Sequence, residues 1–123
     1  MMYKRRGHRT RLAVLRISPD VLDMAGVVIA DGNAASNGTR FEPSPDGLAV
    51  LDAQHVYAES WTDPNLLVQA ERKRRRCAEV LIPDVVPPIF VTGCYVCHSS
   101  VLGSFHEVAP NLEVVVRKHV FFG

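Results

Sequence analysis

One acidic side chain, Glu79, interrupts an apolar alternation directly after a run of basic residues. Five consecutive cations lie just before it: Arg72, Lys73, Arg74, Arg75 and Arg76. A cationic run of this kind can hold the phosphates of a nucleic acid. The pattern therefore places a single acid immediately after a segment suited to holding phosphates.

Residues 77–82, with the sequence CAEVLI, predict the strand that would position this acid. Alternation places Ala78, Val80 and Ile82 together on the face with the best core residues. Glu79 then lies in mid-strand on the opposite face. An alternative stays open at this point. Glu79 could lie on an edge strand and pair with one of the arginines, which discourages edge-to-edge aggregation.

The rest of the chain predicts a mixed domain of helices and strands. Period-two patterns predict further strands over residues 11–17, 27–30, 93–98 and 112–116. Ser18 begins a short helix, and residues 48–61 favour one or two more. Residues 31–47 are rich in small, polar and turn-forming residues and predict a long loop.

The composition indicates one globular domain. The 123 residues are 47% hydrophobic and 22% charged, with a net charge of +1, so the basic patches are local. No apolar run approaches the roughly 18 to 20 residues that cross a bilayer, and no apolar segment follows the N-terminal charges. We expect a cytoplasmic protein with reduced cysteines and no membrane contact.

Two further patterns contain residues that can bind a cofactor. Residues 94–98, CYVCH, have the spacing that attaches a c-type haem. That chemistry belongs to exported proteins, whereas this stretch predicts a strand in a chain without an export signal. Cys77, His106 and His119 offer zinc ligands, but no second paired motif accompanies them. We therefore expect neither haem nor metal. Patterns of the G-x-S-x-G, Walker and Rossmann types are absent from the sequence.

Residues 74–87, RRRCAEVLIPDVVP, resemble the (R/K)-x-x-A-E-(F/V)-L-(V/I)-P-D-x-V-P signature of the DarT-type DNA ADP-ribosyltransferases, the toxin half of a toxin–antitoxin pair. Further matches follow the family's order. They are DGNA at 31–34, TRF at 39–41, Leu51-Asp52 and Trp61. The opening Met1-Met2-Tyr3 is similar to the end of an R-S-P-M-L-Y segment in the middle of the family domain.

The resemblance implies a fold and a domain boundary. The fold is an α+β ADP-ribosyltransferase-like core of two packed, mostly antiparallel sheets with short helices. The chain corresponds to the C-terminal part, somewhat more than half, of the family domain. We therefore expect residues 1–123 to form a partial DarT-like domain that lacks the N-terminal NAD-binding portion, through either a misplaced start site or truncation.

The resemblance also implies a reaction, the transfer of ADP-ribose from NAD, as co-substrate, to a base of single-stranded DNA, typically thymine. Glu79 would be the catalytic residue, because a carboxylate that grips the ribose stabilises its oxocarbenium-like transition state. The DNA-binding residues would be Arg72, Lys73, Arg74, Arg75 and Arg76. Tyr3, Asn33 and Cys77 would lie near the substrate site. A macrodomain antitoxin would be the protein partner.

A second interpretation stays open, in which the chain is a noncatalytic nucleic-acid-binding remnant. It would keep the basic patch and no longer bind NAD. Binding of single-stranded DNA with a strong dependence on salt, in the absence of NAD binding, would be its signature.

Overall fold

The computed structural model describes residues 12–121. These residues group into two compact units. The first contains residues 12–18 and 87–121, and the second is Pro19–Val86. Each unit has its own three-stranded sheet.

The described part contains six strands and three α-helices. The strands are β1 (Ala13–Ile17), β2 (Val28–Ala30), β3 (Phe41–Pro43), β4 (Glu79–Leu81), β5 (Val91–Val96) and β6 (Glu113–Val116). The α-helices are α1 (Ala53–Val56), α2 (Leu66–Arg76) and α3 (Leu102–Val108). Short 3-10 helices span Pro19–Asp23, Asp46–Val50, Pro88–Phe90, Ser99–Val101 and Lys118–Val120.

The sheet of the first unit has the order β1-β5-β6. β5 lies in the centre, antiparallel to β1 and parallel to β6. Cys94 and Val96 are buried on this central strand, and Cys97 and Phe121 are buried in the same unit. The period-two pattern of β5 therefore supplies the core of this unit.

The sheet of the second unit has the order β3-β2-β4, and both of its pairings are antiparallel. The central strand β2 contributes Ile29 and Ala30, both fully buried. β4 pairs with β2 alone among the described strands, which makes it an edge strand. The prediction that Val80 faces a core is wrong for this reason, because its edge position leaves it 42% exposed. Glu79 is the first residue of β4, not its middle.

The basic residues before Glu79 belong to a helix. Asn65 caps the N-terminus of α2, since its side-chain oxygen accepts hydrogen bonds from the N–H groups of Leu67 and Val68. The four cations of the last turn lie near the helix C-terminus, where the helix dipole favours positive charge. The sequence prediction of a strand beginning at Cys77 is therefore corrected, because this residue ends α2 and the strand begins at Glu79.

The α+β class that the sequence predicts is confirmed. Three of the four strand pairings within residues 12–121 are antiparallel, and the helices are short. Over the same residues, we find no helix with the length and apolar character to cross a membrane.

Candidate active site

Glu79 lies at the start of the edge strand β4, where its main chain pairs with Ala30 of β2. Its side chain is exposed. The carboxylate oxygen Oε2 accepts a hydrogen bond of 2.8 Å from the backbone N–H of Ala34. Within residues 12–121 the carboxylate has no other hydrogen bond and no ion pair, so the arginine pairing considered from the sequence is not present there. One oxygen is therefore held by the backbone, and the other has no partner within residues 12–121.

Ala34 belongs to the loop of residues 31–40, which connects β2 to β3. Asp31 and Arg40 close the base of this loop, because each backbone N–H donates to the other residue: Asp31 N to Arg40 O at 3.1 Å, and Arg40 N to Asp31 Oδ1 at 2.9 Å. Asn33 shapes the tip. Its side-chain oxygen accepts from Ala35 N at 2.9 Å, and its carbonyl accepts from Thr39 Oγ1 at 2.6 Å.

Arg74, which belongs to α2, forms hydrogen bonds to several residues of this loop. Its Nη1 donates to Asp31 Oδ1 at 2.8 Å and to Thr39 Oγ1 at 3.2 Å. Its backbone carbonyl accepts from Asn33 N at 3.0 Å. Its remaining donors, Nε and Nη2, bind the two carboxylate oxygens of Glu71 at 2.9 and 2.7 Å. The Arg74 side chain is only 11% exposed.

Hydrogen bonding keeps the acids of this cluster charged. Bonds from Arg74 and then Arg75 lower the pKa of Glu71 from 4.5 to about 2. Burial acts to raise the pKa of Asp31, but hydrogen bonds from the Arg74 side chain and the Arg40 N–H together outweigh it and lower that pKa. Because the pKa of Glu71 is depressed on folding, its stabilising contribution is present above pH 4.5 and is lost as the pH falls toward 2.

The other four cations of the predicted DNA-binding block point in different directions around α2. Arg72 and Arg76, one helical turn apart, contact the segment 58–63. Arg72 pairs with Asp63 at 3.2 Å, and the guanidinium of Arg76 lies 5.0 Å from the ring centre of Trp61. Nε of Arg76 also donates to Ala58 O at 2.6 Å.

Within residues 12–121, the side chains of Lys73 and Arg75 form no hydrogen bond or ion pair outside α2, whereas Arg72, whose side chain is 43% exposed, pairs with Asp63. Lys73 is exposed and has no ion pair within residues 12–121. The Arg75 side chain is 41% exposed and pairs with Glu71 at 2.8 Å. The helical period therefore divides the block into side chains that hold loops of this chain and side chains that face solvent.

The remaining sequence-predicted site residues have separate positions. Asn33 is exposed at the tip of the loop that holds Glu79. Cys77 is exposed at the C-terminus of α2, and its thiol is free. Tyr3 lies outside the described residues. The roles predicted for these residues stay predictions.

A polar cavity of about 330 Å³ lies on the Arg74 side of the 31–40 loop. Its lining residues are Asp31, Gly38, Arg40, Val50, Asp52, Val56, Glu71, Arg74 and Arg75. Glu79 is not among them. The cavity and the catalytic candidate therefore share the 31–40 loop, and the sequence analysis named Glu79 and Asn33 as candidates but neither the cavity nor Ala34.

The residues with haem-type spacing lie in the first unit. Cys94 and Cys97 are buried free cysteines, and burial raises the pKa of the Cys94 thiol. His98 Nδ1 accepts from Ser100 N at 3.1 Å. No group of three potential metal-binding residues is found in the part of the chain that the structure describes. The expected absence of metal and haem stays a prediction.

Comparison with known proteins identifies the family. A family model described as the ssDNA thymidine ADP-ribosyltransferase DarT matches residues 1–122. The chain belongs to the DarT family. The resemblance seen in the sequence is thereby confirmed.

One relative of this DarT family member is a DNA ADP-ribosyl transferase–DNA ADP-ribosyl glycohydrolase fusion protein of Thermosipho africanus (strain H17ap60334). The two are 28% identical over 107 residues, which are 86% of this chain and 24% of the relative. The chain thus spans about a quarter of the length of this curated relative.

Solved DarT structures share the fold of the chain. Thermosipho africanus DarTG in complex with ADP-ribose has a TM-score of 0.79 at 21% identity, covering 99% of this chain and 33% of that one. Thermus sp. 2.9 DarT in complex with NAD+ has a TM-score of 0.75 at 21% identity, covering 96% of this chain and 65% of that one. The same protein in complex with ADP-ribosylated ssDNA has a TM-score of 0.78 at 20% identity, covering 96% of this chain and 61% of that one. The predicted ADP-ribosyltransferase-like fold is confirmed.

Proposed function

We propose that this chain contributes to DarT-type transfer of ADP-ribose from NAD to a thymine base of single-stranded DNA, with Glu79 as the catalytic carboxylate. The observation that carries the proposal is the geometry of this side chain. One carboxylate oxygen is fixed by the Ala34 N–H, while the other has no partner within residues 12–121. A carboxylate held in this way is oriented before a substrate arrives and keeps one oxygen available for it.

The chemistry requires a fixed negative charge at the ribose. The bond between C1′ of the ribose and nicotinamide breaks, and nicotinamide leaves with the bonding electrons. C1′ then carries positive charge, as in glycoside cleavage, and a carboxylate that accepts hydrogen bonds from the ribose hydroxyls stabilises it. An atom of the thymine base forms the new bond to C1′ and releases its proton. Glu79 serves this reaction through charge and orientation.

The DNA strand would be held mainly by the cations that face solvent. Lys73 and Arg75 have the exposure to contact phosphates, and the exposed guanidinium of Arg40 extends this surface. Arg72 and Arg76 contribute positive field while holding the segment 58–63. Thermus sp. 2.9 DarT has been solved in complex with NAD+ and with ADP-ribosylated ssDNA. These complexes support NAD and single-stranded DNA as the two substrates that we propose.

We propose that the protein partner is one that removes ADP-ribose from the modified DNA. The Thermosipho africanus relative joins a DNA ADP-ribosyl transferase to a DNA ADP-ribosyl glycohydrolase in one chain. A macrodomain antitoxin with that activity would serve this chain, as the toxin of a cytoplasmic toxin–antitoxin system.

The experiment uses the chain with any in-frame upstream sequence restored, NAD and two single-stranded oligonucleotides of equal length, one with a single thymine and one without thymine. We expect the mass of the thymine oligonucleotide alone to increase by one ADP-ribose unit, and free nicotinamide to appear in equal amount. No mass gain on either oligonucleotide would contradict the proposal. Salt-dependent DNA binding without NAD binding would then favour the noncatalytic alternative.

A further inference from the structure

Arg74 lies in the basic block, yet its surroundings differ from those of its neighbours. Its side chain is 11% exposed, compared with 41% for Arg75. All three of its guanidinium nitrogens donate to Asp31, Thr39 or Glu71. A phosphate would have to displace these bonds, so Arg74 is poorly suited to contact DNA.

We propose that Arg74 is a positioning residue for Glu79 and acts through the 31–40 loop. The proposal rests on the function proposed for Glu79. Arg74 binds both sides of the loop, at Asp31 and at Thr39, and its carbonyl binds the N–H of Asn33. The next residue of the chain, Ala34, donates the hydrogen bond that fixes Glu79. Arg74 therefore sets where that N–H points.

The packing around Arg74 supports the same role. Gly32 is buried against it, and a Cβ at this glycine would lie 2.5 Å from Arg74 Nη1 and 2.8 Å from Arg74 O. Only a residue without a side chain allows this approach. The planar guanidinium can bind Asp31 and Glu71 at once, whereas a lysine ammonium on its single nitrogen cannot span both in the same geometry.

The test compares Arg74→Lys and Arg74→Ala with Lys73→Gln at the preceding residue. For Arg74→Ala we expect kcat of transfer to fall about 10- to 100-fold, because Glu79 loses its fixed orientation. The KM for the oligonucleotide should stay within about twofold, and Arg74→Lys should recover part of the rate. Lys73→Gln should instead raise the KM for DNA and reduce the salt slope of binding by about 1.

Amide hydrogen exchange measured by NMR examines the same contact without any need for transfer. Arg74→Ala should lose protection at Ala34 and Asn33, whereas Lys73→Gln should retain it. Thr39→Val removes one Arg74 contact and the hydrogen bond from Thr39 Oγ1 to Asn33 O, with little change of shape. It should show a smaller loss at Ala34 than Arg74→Ala, which covers the case in which Arg74→Ala does not fold.

The outcomes separate the two proposals. If the unmodified chain transfers no ADP-ribose, the proposed function fails, and the exchange data alone decide whether Arg74 holds Ala34. Unchanged protection of Ala34 in both Arg74→Ala and Thr39→Val would overturn the positioning role. An increase in the KM for DNA with unchanged kcat in Arg74→Ala would overturn it as well, and would return Arg74 to the DNA-binding residues.

Discussion

Glu79→Gln is expected to lower the rate of ADP-ribose transfer by at least about 100-fold. Glutamine keeps the size and shape of the side chain, and its amide oxygen can still accept the hydrogen bond from Ala34 N. The negative charge that stabilises the ribose transition state is lost. Because only the charge changes, the melting temperature should move little. The rate is measured from the mass gain of a thymine oligonucleotide over time.

Glu42→Gln is the matched control for this substitution. Glu42 is an exposed glutamate on β3, in the same sheet as Glu79, and within residues 12–121 its carboxylate forms no hydrogen bond or ion pair. We expect this variant to retain the rate of the unmodified chain. Equal rates for Glu79→Gln and the unmodified chain would remove Glu79 from the catalytic role.

Ile29→Ala is expected to lower the free energy of unfolding by about 3 kcal/mol. Ile29 is fully buried at the centre of β2, which pairs with β3 and with β4. Gly47 packs so closely on it that a Cβ there would lie 3.0 Å from Ile29 Cβ. Truncation of Ile29 would therefore leave a cavity at β2, the strand in which Ala30 pairs with the main chain of Glu79. Urea unfolding measures the loss, and the melting temperature should fall by about 10 °C.

Val80→Ala is the comparison for Ile29→Ala, because the two residues are paired in register across β2 and β4. Val80 is 42% exposed, so its truncation removes little buried surface. We expect a loss below about 1 kcal/mol. Similar losses for both variants would contradict the assignment of β2 as the centre of this unit and β4 as its edge.

The sequence was sufficient to predict the family and five of the six strands within residues 12–121, whereas the catalytic role of Glu79 stays a prediction. Period-two alternation located β1, β2, β5 and β6 to within a few residues, although only β2 and β5 contain fully buried residues. The motif around Glu79 is specific enough to identify the family. These features depend on local pattern, which a single sequence contains.

The extent of α2 was missed because its last five residues are all basic and show no apolar period. Two helix signals were nevertheless present. Asn65 is a favourable N-cap, and Glu71 stands three and four residues before Arg74 and Arg75, the spacing at which helical side chains pair. Considered together, these two signals predict that the basic residues are helical and that the helix ends before the strand begins.

The sequence could not predict which cations of the basic block contact loops of this chain and which face solvent. Lys73 and Arg74 are adjacent cations, yet one is exposed and the other lies against Gly32 and Asp31. That difference depends on contacts between residues about 40 positions apart. Local pattern contains no information about them, and neither does it show that Ala34 N would meet Glu79.

The central claim is that the Glu79 carboxylate meets the ribose of NAD. A crystal structure of the chain with any in-frame upstream sequence restored, in complex with carba-NAD+, the analogue bound by Thermus sp. 2.9 DarT, tests it most directly. We predict a ribose hydroxyl within about 3.2 Å of one Glu79 oxygen, with Ala34 N still bound to the other. A ribose bound away from Glu79, or no bound analogue at millimolar concentration, would contradict the claim.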